Sequence, residues 1–143
     1  MLKKYSLGSI EFEVPASWRV SDFGSSIEIV DDQACGALHL SFLKRTKADN
    51  PKGLDAKLLI ENFALNNNLV SENSVATSEE IWEAKAIGSF SPDKPTDQMP
   101  KHWLLGCVVW SDKAVRASYC TDSRGEHIKV AATIIDSIGR KDL

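Results

Sequence analysis

Apolar and polar residues alternate along much of the first third of the chain. Over residues 9–15, three apolar side chains alternate with two glutamates, which is the period-two pattern of a strand with one face in solvent. The same alternation predicts strands over residues 26–30 and 36–43, separated by polar turn segments. These segments together predict an antiparallel meander.

Two segments instead have the 3.6-residue apolar spacing of amphipathic helices. The first covers residues 54–67 and ends at consecutive asparagines, whose side chains bond to nearby backbone and favour helix ends. The second starts after Ser123, which has capping-box spacing with Glu126, and it stops at Gly139. Each helix is expected to cover a face of a sheet.

Residues 102–111 are apolar on both faces, which predicts a central strand with Trp103 and Trp110 on opposite sides. Further strands are predicted over residues 79–89 and 114–121. The order is therefore three strands, a helix, three strands and a helix. This order predicts the α+β class and a three-layer α/β/α sandwich, with a mainly antiparallel sheet of about six strands and one helix on each face.

Composition agrees with one domain over residues 1–143, because 43% of the residues are hydrophobic and no linker divides the chain. The formal charge of −3 gives no reason to expect a nucleic-acid partner. The basic stretch at 44–47 is interpreted as a solvated strand end, with a local anion-binding patch as the alternative. No apolar run suits a membrane span, and three widely spaced cysteines favour a reducing compartment. We therefore expect a cytoplasmic protein without a membrane partner.

Two motifs resemble a known family. Residues 12–18 read FEVPASW, a short strand that ends in a proline and a tryptophan, and a late hairpin delivers Tyr119 before a helix ending IIDSI at 134–138. This order resembles the PsbP-like family, which includes photosystem accessory proteins, a Ran-GTPase-binding nuclear-import factor, bacterial DcrB lipoproteins and cytoplasmic chaperones of type VI secretion effectors. The resemblance implies a PsbP-like domain that binds proteins without catalysis. It transfers no functional residue.

Candidate chemistry is sparse. Cys35 and His39 lie four residues apart, but the other cysteines and histidines lack the paired spacing of zinc ligands, so no metal is expected. Cys120 lies near Asp122 and His127 without a strained turn or an oxyanion loop, and is interpreted as a chance cluster. We therefore expect neither a cofactor nor enzyme activity.

Two elements are candidates for partner binding. Trp82 lies in a segment of peripheral character; it is interpreted first as a core residue, and a role as an interface residue is the alternative that makes it a candidate. The connection over residues 91–101 contains three of the five prolines; it is interpreted first as a merely mobile loop, with a second contact element as the alternative. The candidate partner-binding residues are Trp82, Phe90, Pro92, Asp93, Lys94, Pro95 and Asp97.

The predicted function is a module that binds another protein, such as a bacterial immunity protein or a chaperone or adaptor for a secreted toxin. Small immunity proteins can share this order of elements. Two alternatives stay open. One is a small-molecule-binding domain or hydrolase that uses a cleft between the sheet and the C-terminal helix. The other is a structural subunit that forms homodimers through a free sheet edge.

Overall fold

Eleven strands and two helices form the part of the chain that the computed structural model describes, which is residues 1–45, 52–122 and 125–141. The helices are α1 (Gly53–Asn66) and α2 (Glu126–Asp136). The strands are β1 (Leu2–Leu7), β2 (Ile10–Pro15), β3 (Arg19–Asp22), β4 (Ser26–Val30), β5 (Gly36–Lys44), β6 (Leu69–Ser71), β7 (Ala76–Glu79), β8 (Ala84–Pro92), β9 (His102–Val109), β10 (Lys113–Thr121) and β11 (Gly139–Arg140).

The strands form two antiparallel sheets. The larger has eight strands in the order β3-β4-β5-β10-β9-β8-β6, and β7 pairs with β8 beside β6. The smaller has the order β1-β2-β11. The predicted α+β class and large antiparallel sheet are confirmed. The count of about six strands is wrong, because short strands form at both edges of the large sheet and β1, β2 and β11 build a second one.

The segment predicted as one strand over residues 79–89 is a hairpin. β7 pairs with β8 up to the register Glu79 opposite Ala84, and the backbone N–H of Glu80 donates to the carbonyl of Glu83 over 2.7 Å. β8 then continues to Pro92, which lies opposite Leu69 of β6. The connection predicted over residues 91–101 therefore begins two residues later than expected, because Ser91 and Pro92 pair with Val70 and Leu69 of β6.

The two faces of the large sheet carry different layers. On one face α1 packs over β8 and β9, and Trp103 is partly buried against this cluster. On the other face α2 and the small sheet share one core, which contains Trp110. The predicted placement of the two tryptophans on opposite faces is confirmed. The expected one helix on each face is not matched in full, since α2 shares its face with the small sheet.

The start of α1 is held by a carboxylate that is distant in sequence. The N-cap of α1, Lys52, makes no side-chain capping bond; instead the backbone N–H of Gly53 donates to the carboxylate of Glu79 over 2.7 Å. A carboxylate at this position also interacts favourably with the helix dipole. The N-cap of α2 is Gly125, and the predicted capping residue Ser123 lies outside the described residues.

Within the described residues, neither helix is long and apolar enough to cross a membrane.

Candidate functional site

The turn between β7 and β8, residues 80–83, is termed the hairpin tip. Its two apolar side chains are strongly exposed: Ile81 is 69% exposed and Trp82 is 62% exposed. The interpretation of Trp82 as a core residue is therefore wrong, and Trp82 is on the surface as an interface residue requires. An exposed tryptophan is notable because burial of so large an aromatic side chain is strongly favourable.

The hairpin tip is fixed to the core by Glu83. The indole N–H of the buried Trp110 donates to the Glu83 carboxylate over 3.1 Å. Lys85 lies 3.8 Å from the same carboxylate and also donates to the carbonyl of Asp136 at the end of α2. The residue after Trp82 is therefore held directly by Trp110 and, through Lys85, is linked to the end of α2.

Helix α1 also has exposed leucines. The bond from Gly53 to Glu79 brings the first turn of α1 next to the end of β7. Leu54 and Leu58, four residues apart and hence on one face of the helix, are both exposed. Leu58 lines a groove with Leu43 of β5 and Ala114 of β10, on the side of α1 that faces away from β7.

The residues predicted in the proline-containing connection do not join this surface. Phe90 is 2% exposed and Pro92 is buried, so both are corrected to structural residues, and Phe90 belongs to the core under α1. Asp93, Lys94, Pro95 and Asp97 are exposed. They follow the far end of β8, whose nine residues separate them from the hairpin tip by about 27 Å. The two predicted contact elements are therefore separate surfaces.

The structure also assembles a polar junction around Asp31, which the sequence did not indicate. One carboxylate oxygen accepts the backbone N–H groups of Gln33 (3.0 Å) and Cys35 (2.9 Å). The other accepts the backbone N–H of Gly36 (2.7 Å) and the hydroxyl of Tyr119 (3.1 Å). Burial raises the pKa of Asp31, but these four bonds outweigh it and hold the pKa below its ordinary value.

His127 closes the outer side of this junction. Its Nε2 lies 3.1 Å from Oδ1 of Asp32 and 3.9 Å from Oδ1 of Asp31. Ligand atoms of Asp31, Cys35 and His127 all lie within 4.8 Å of one another, and zinc accepts this set of donors. Both oxygens of Asp31 already accept two hydrogen bonds, however. The arrangement therefore serves first to hold the β4–β5 turn against β10 and α2.

The residue spacings that the sequence suggested, Cys35 with His39 and Cys120 with Asp122 and His127, do not correspond to this junction. His39, four residues after Cys35, is exposed and lies 3.8 Å from Glu28. His127, considered with Cys120 and Asp122, faces Asp31 and Asp32. Nothing in the spacing of Asp31 and His127 indicates their contact, because it depends on how α2 docks on the sheet.

The three cysteines are free and differ in accessibility. Cys35 is exposed, whereas burial raises the pKa of Cys107 to about 12, and burial followed by the charge of Asp122 raises the pKa of Cys120. Because the thiolate is the reactive form, Cys35 should react with Ellman's reagent at pH 8 before the other two. Cys35→Ser should abolish the fast phase, and Cys107 should react only on unfolding. A fast phase that survives Cys35→Ser would contradict this order.

The cleft expected between the sheet and the C-terminal helix is mostly filled. The space between α2 and the large sheet contains core side chains of both. A groove of about 300 Å³ remains between α2 and the small sheet, with Val130 and Ile134 on one wall and Pro15 on the other. A larger cavity of about 410 Å³ lies elsewhere, where the β1–β2 turn approaches the ends of β5 and β10.

No protein-family model matches the sequence, and no curated protein matches it. Solved structures do. The solution structure of cyanobacterial PsbP (CyanoP) from Synechocystis sp. PCC 6803 aligns with a TM-score of 0.66 over 97% of this chain and 92% of that one, at 15% identity. A crystal structure from Bacteroides thetaiotaomicron aligns with a TM-score of 0.56 over 92% of this chain and 45% of that one, at 14% identity. The PsbP-like fold predicted from the sequence is therefore confirmed.

Proposed function

We propose that this domain of PsbP-like fold is a protein-binding module whose contact surface is centred on the hairpin tip. The observation that carries the proposal is Trp82, an exposed aromatic side chain on a turn that Glu83 fixes to Trp110. Tryptophan is among the residues that contribute most to protein interfaces. An ordered turn lowers the entropy lost on binding, so this tip is suited to hold a partner.

The charges around Trp82 indicate the chemistry of the partner. Glu80 is exposed and directly precedes Ile81 and Trp82, so the apolar tip has an acidic side chain at one edge. A complementary surface would have an apolar pocket with basic residues at its rim. A bacterial immunity protein, or a chaperone or adaptor for a secreted toxin, is the narrower role that we propose.

A role without chemistry of its own is part of the proposal. The polar groups that come together at Asp31 are engaged in bonds that hold a turn, and burial raises the pKa of the Cys120 thiol. A thiol with a raised pKa is a poor nucleophile at neutral pH. These features favour binding over catalysis.

Trp82→Ala should abolish or strongly weaken partner binding without changing the melting temperature, because the side chain is exposed. Loss of one central aromatic anchor typically weakens binding by about 30-fold or more. The measurement is capture of the partner from the lysate of the source organism, then calorimetric titration with the purified partner. Affinity should also fall as salt rises if the basic rim is present.

Phe23→Ala is the matched control, since Phe23 is 66% exposed in the turn between β3 and β4. It removes an equally exposed aromatic side chain at another place and should leave binding unchanged. Equal binding by the wild-type protein and Trp82→Ala would reject the hairpin tip as the contact. If the captured partner is this chain itself, light scattering should show a dimer that Trp82→Ala dissociates.

A further inference from the structure

A second region of the molecule has the shape and charge of a ligand site. The cavity of about 410 Å³ lies at the end of the large sheet, between the β1–β2 turn and the β3–β4 turn. Its volume is within the range of pockets that hold small molecules. Its apolar lining includes Ile10, Phe42, Trp110 and Val115.

Two lysines border the cavity. Lys44 of β5 and Lys113 of β10 both line it, and their Cα atoms are direct partners in the antiparallel ladder. Like charges directly opposite each other in a sheet destabilise it. Asp112, the neighbour of Lys113 in sequence, pairs with Arg140 over 3.0 Å. Within the described ranges, no carboxylate forms an ion pair with Lys44 or Lys113, and no acidic residue lines the cavity.

The register orders the apolar and charged groups along the cavity. Phe42 and Val115 are the ladder partners two residues inward from the lysine pair, so the four side chains project from the same face of the sheet. Val115 and Trp110 are buried, whereas Lys44 is exposed. The indole N–H of Trp110 is already bonded to Glu83, so the ring offers its apolar surface. The cavity thus has an apolar floor and a basic mouth.

We propose that this cavity binds a small carboxylate with an apolar body, of the size of a medium-chain fatty acid. The tail would contact Phe42, Trp110 and Val115, and the carboxylate would lie between Lys44 and Lys113 and relieve their repulsion. The net charge of the chain is −3, so this basic mouth contrasts with the surface as a whole. The proposal does not depend on the proposed function, although Trp110 both lines this cavity and bonds Glu83 of the hairpin tip.

Titration with decanoate, decanol and decylamine tests the proposal with one tail and three head groups. Decanoate should bind about tenfold or more tightly than decanol, and decylamine should bind most weakly. In the two-dimensional nitrogen–proton NMR spectrum, decanoate should shift the indole signal of Trp110 and leave that of Trp82 in place. The Trp82→Phe variant assigns the Trp82 signal, because that signal is absent from its spectrum. Equal affinity for the three compounds, or a shift at Trp82 alone, would overturn the proposal.

Lys44→Gln/Lys113→Gln should weaken decanoate binding about tenfold and leave decanol binding unchanged. The ligand-free variant should melt no lower than the wild-type protein, since the substitutions remove a repulsion. Lys94→Gln/Lys101→Gln changes the net charge equally at the other end of the sheet and should bind decanoate like the wild type. If both double variants bind decanoate alike, the lysine pair is not the head-group site.

Discussion

Gly36→Ala should be among the most destabilising single substitutions in this protein. An alanine Cβ at this position would lie 2.5 Å from the carbonyl oxygen of Cys120 and 2.8 Å from Cζ of Tyr119. The first contact is with backbone on the paired strand β10, which cannot move away without breaking the ladder. We expect a loss of about 3 kcal/mol in the free energy of unfolding. The melting temperature should fall by about 10 °C.

Gly139→Ala is the matched control for this experiment. A Cβ at Gly139 meets no atom within 4 Å, so the variant should unfold at the same temperature as the wild type or slightly above it. Thermal and urea unfolding followed by circular dichroism compares the three proteins. A melting temperature of Gly36→Ala equal to that of Gly139→Ala would show that β5 and β10 separate there without cost.

Much of the large sheet was predictable because its strands carry their signal locally. The alternation over residues 26–30 and 36–43 corresponds to β4 and β5, and the doubly apolar run at 102–111 corresponds to β9. Each pattern reflects burial of one face or of both. The PsbP-like fold was likewise recognisable from the order of these elements.

The hairpin tip shows where the local signal fails. Its turn, Glu80-Ile81-Trp82-Glu83, contains no glycine or proline, and its apolar residues read as a continuation of the strand. The sequence pattern therefore indicated Trp82 as a candidate contact but did not predict that it lies on a turn. Its anchoring could not be predicted, since the bond between Glu83 and Trp110 joins residues 27 positions apart.

The junction at Asp31 was beyond sequence reasoning for the same physical reason. Tyr119 reaches Asp31 across 88 positions, and His127 reaches Asp32 across 95. The first contact arises from the register that places Thr121 opposite Gly36, and the second from how α2 docks on the sheet. A single sequence contains no local pattern for such a register, so Asp31 reads as an ordinary turn residue.

Asp31→Asn should also destabilise the protein strongly. The amide nitrogen replaces an oxygen that accepts two hydrogen bonds, so either the N–H groups of Gln33 and Cys35 or the Gly36 N–H and Tyr119 hydroxyl lose their acceptor. Buried donors left without a partner, together with the loss of bonds to a charged group, are expected to cost about 2–4 kcal/mol at pH 7. Urea unfolding at fixed pH measures this difference.

The pH dependence of the free energy of unfolding distinguishes the contribution of the Asp31 charge from that of its packing. The folded pKa of Asp31 lies below the ordinary value of 3.8, so the carboxylate stabilises the fold above that value and loses this contribution as pH falls through the folded pKa. Asparagine does not titrate. The difference in unfolding free energy between the wild type and Asp31→Asn should therefore stay constant well above pH 3.8 and shrink as the pH falls below that value.

Asp32→Asn provides the comparison, because Asp32 is the adjacent acid and is exposed. It faces His127 but makes none of the four bonds that hold the turn, so its loss should cost less than about 1 kcal/mol. If the difference in unfolding free energy between the wild type and Asp31→Asn is the same at pH 3 as at pH 7, packing, and not the buried charge, stabilises the junction. If that difference in unfolding free energy becomes smaller at acidic pH, Asp31 is the acid-sensitive link between β4, β5 and β10, because protonation and the substitution both remove its negative charge.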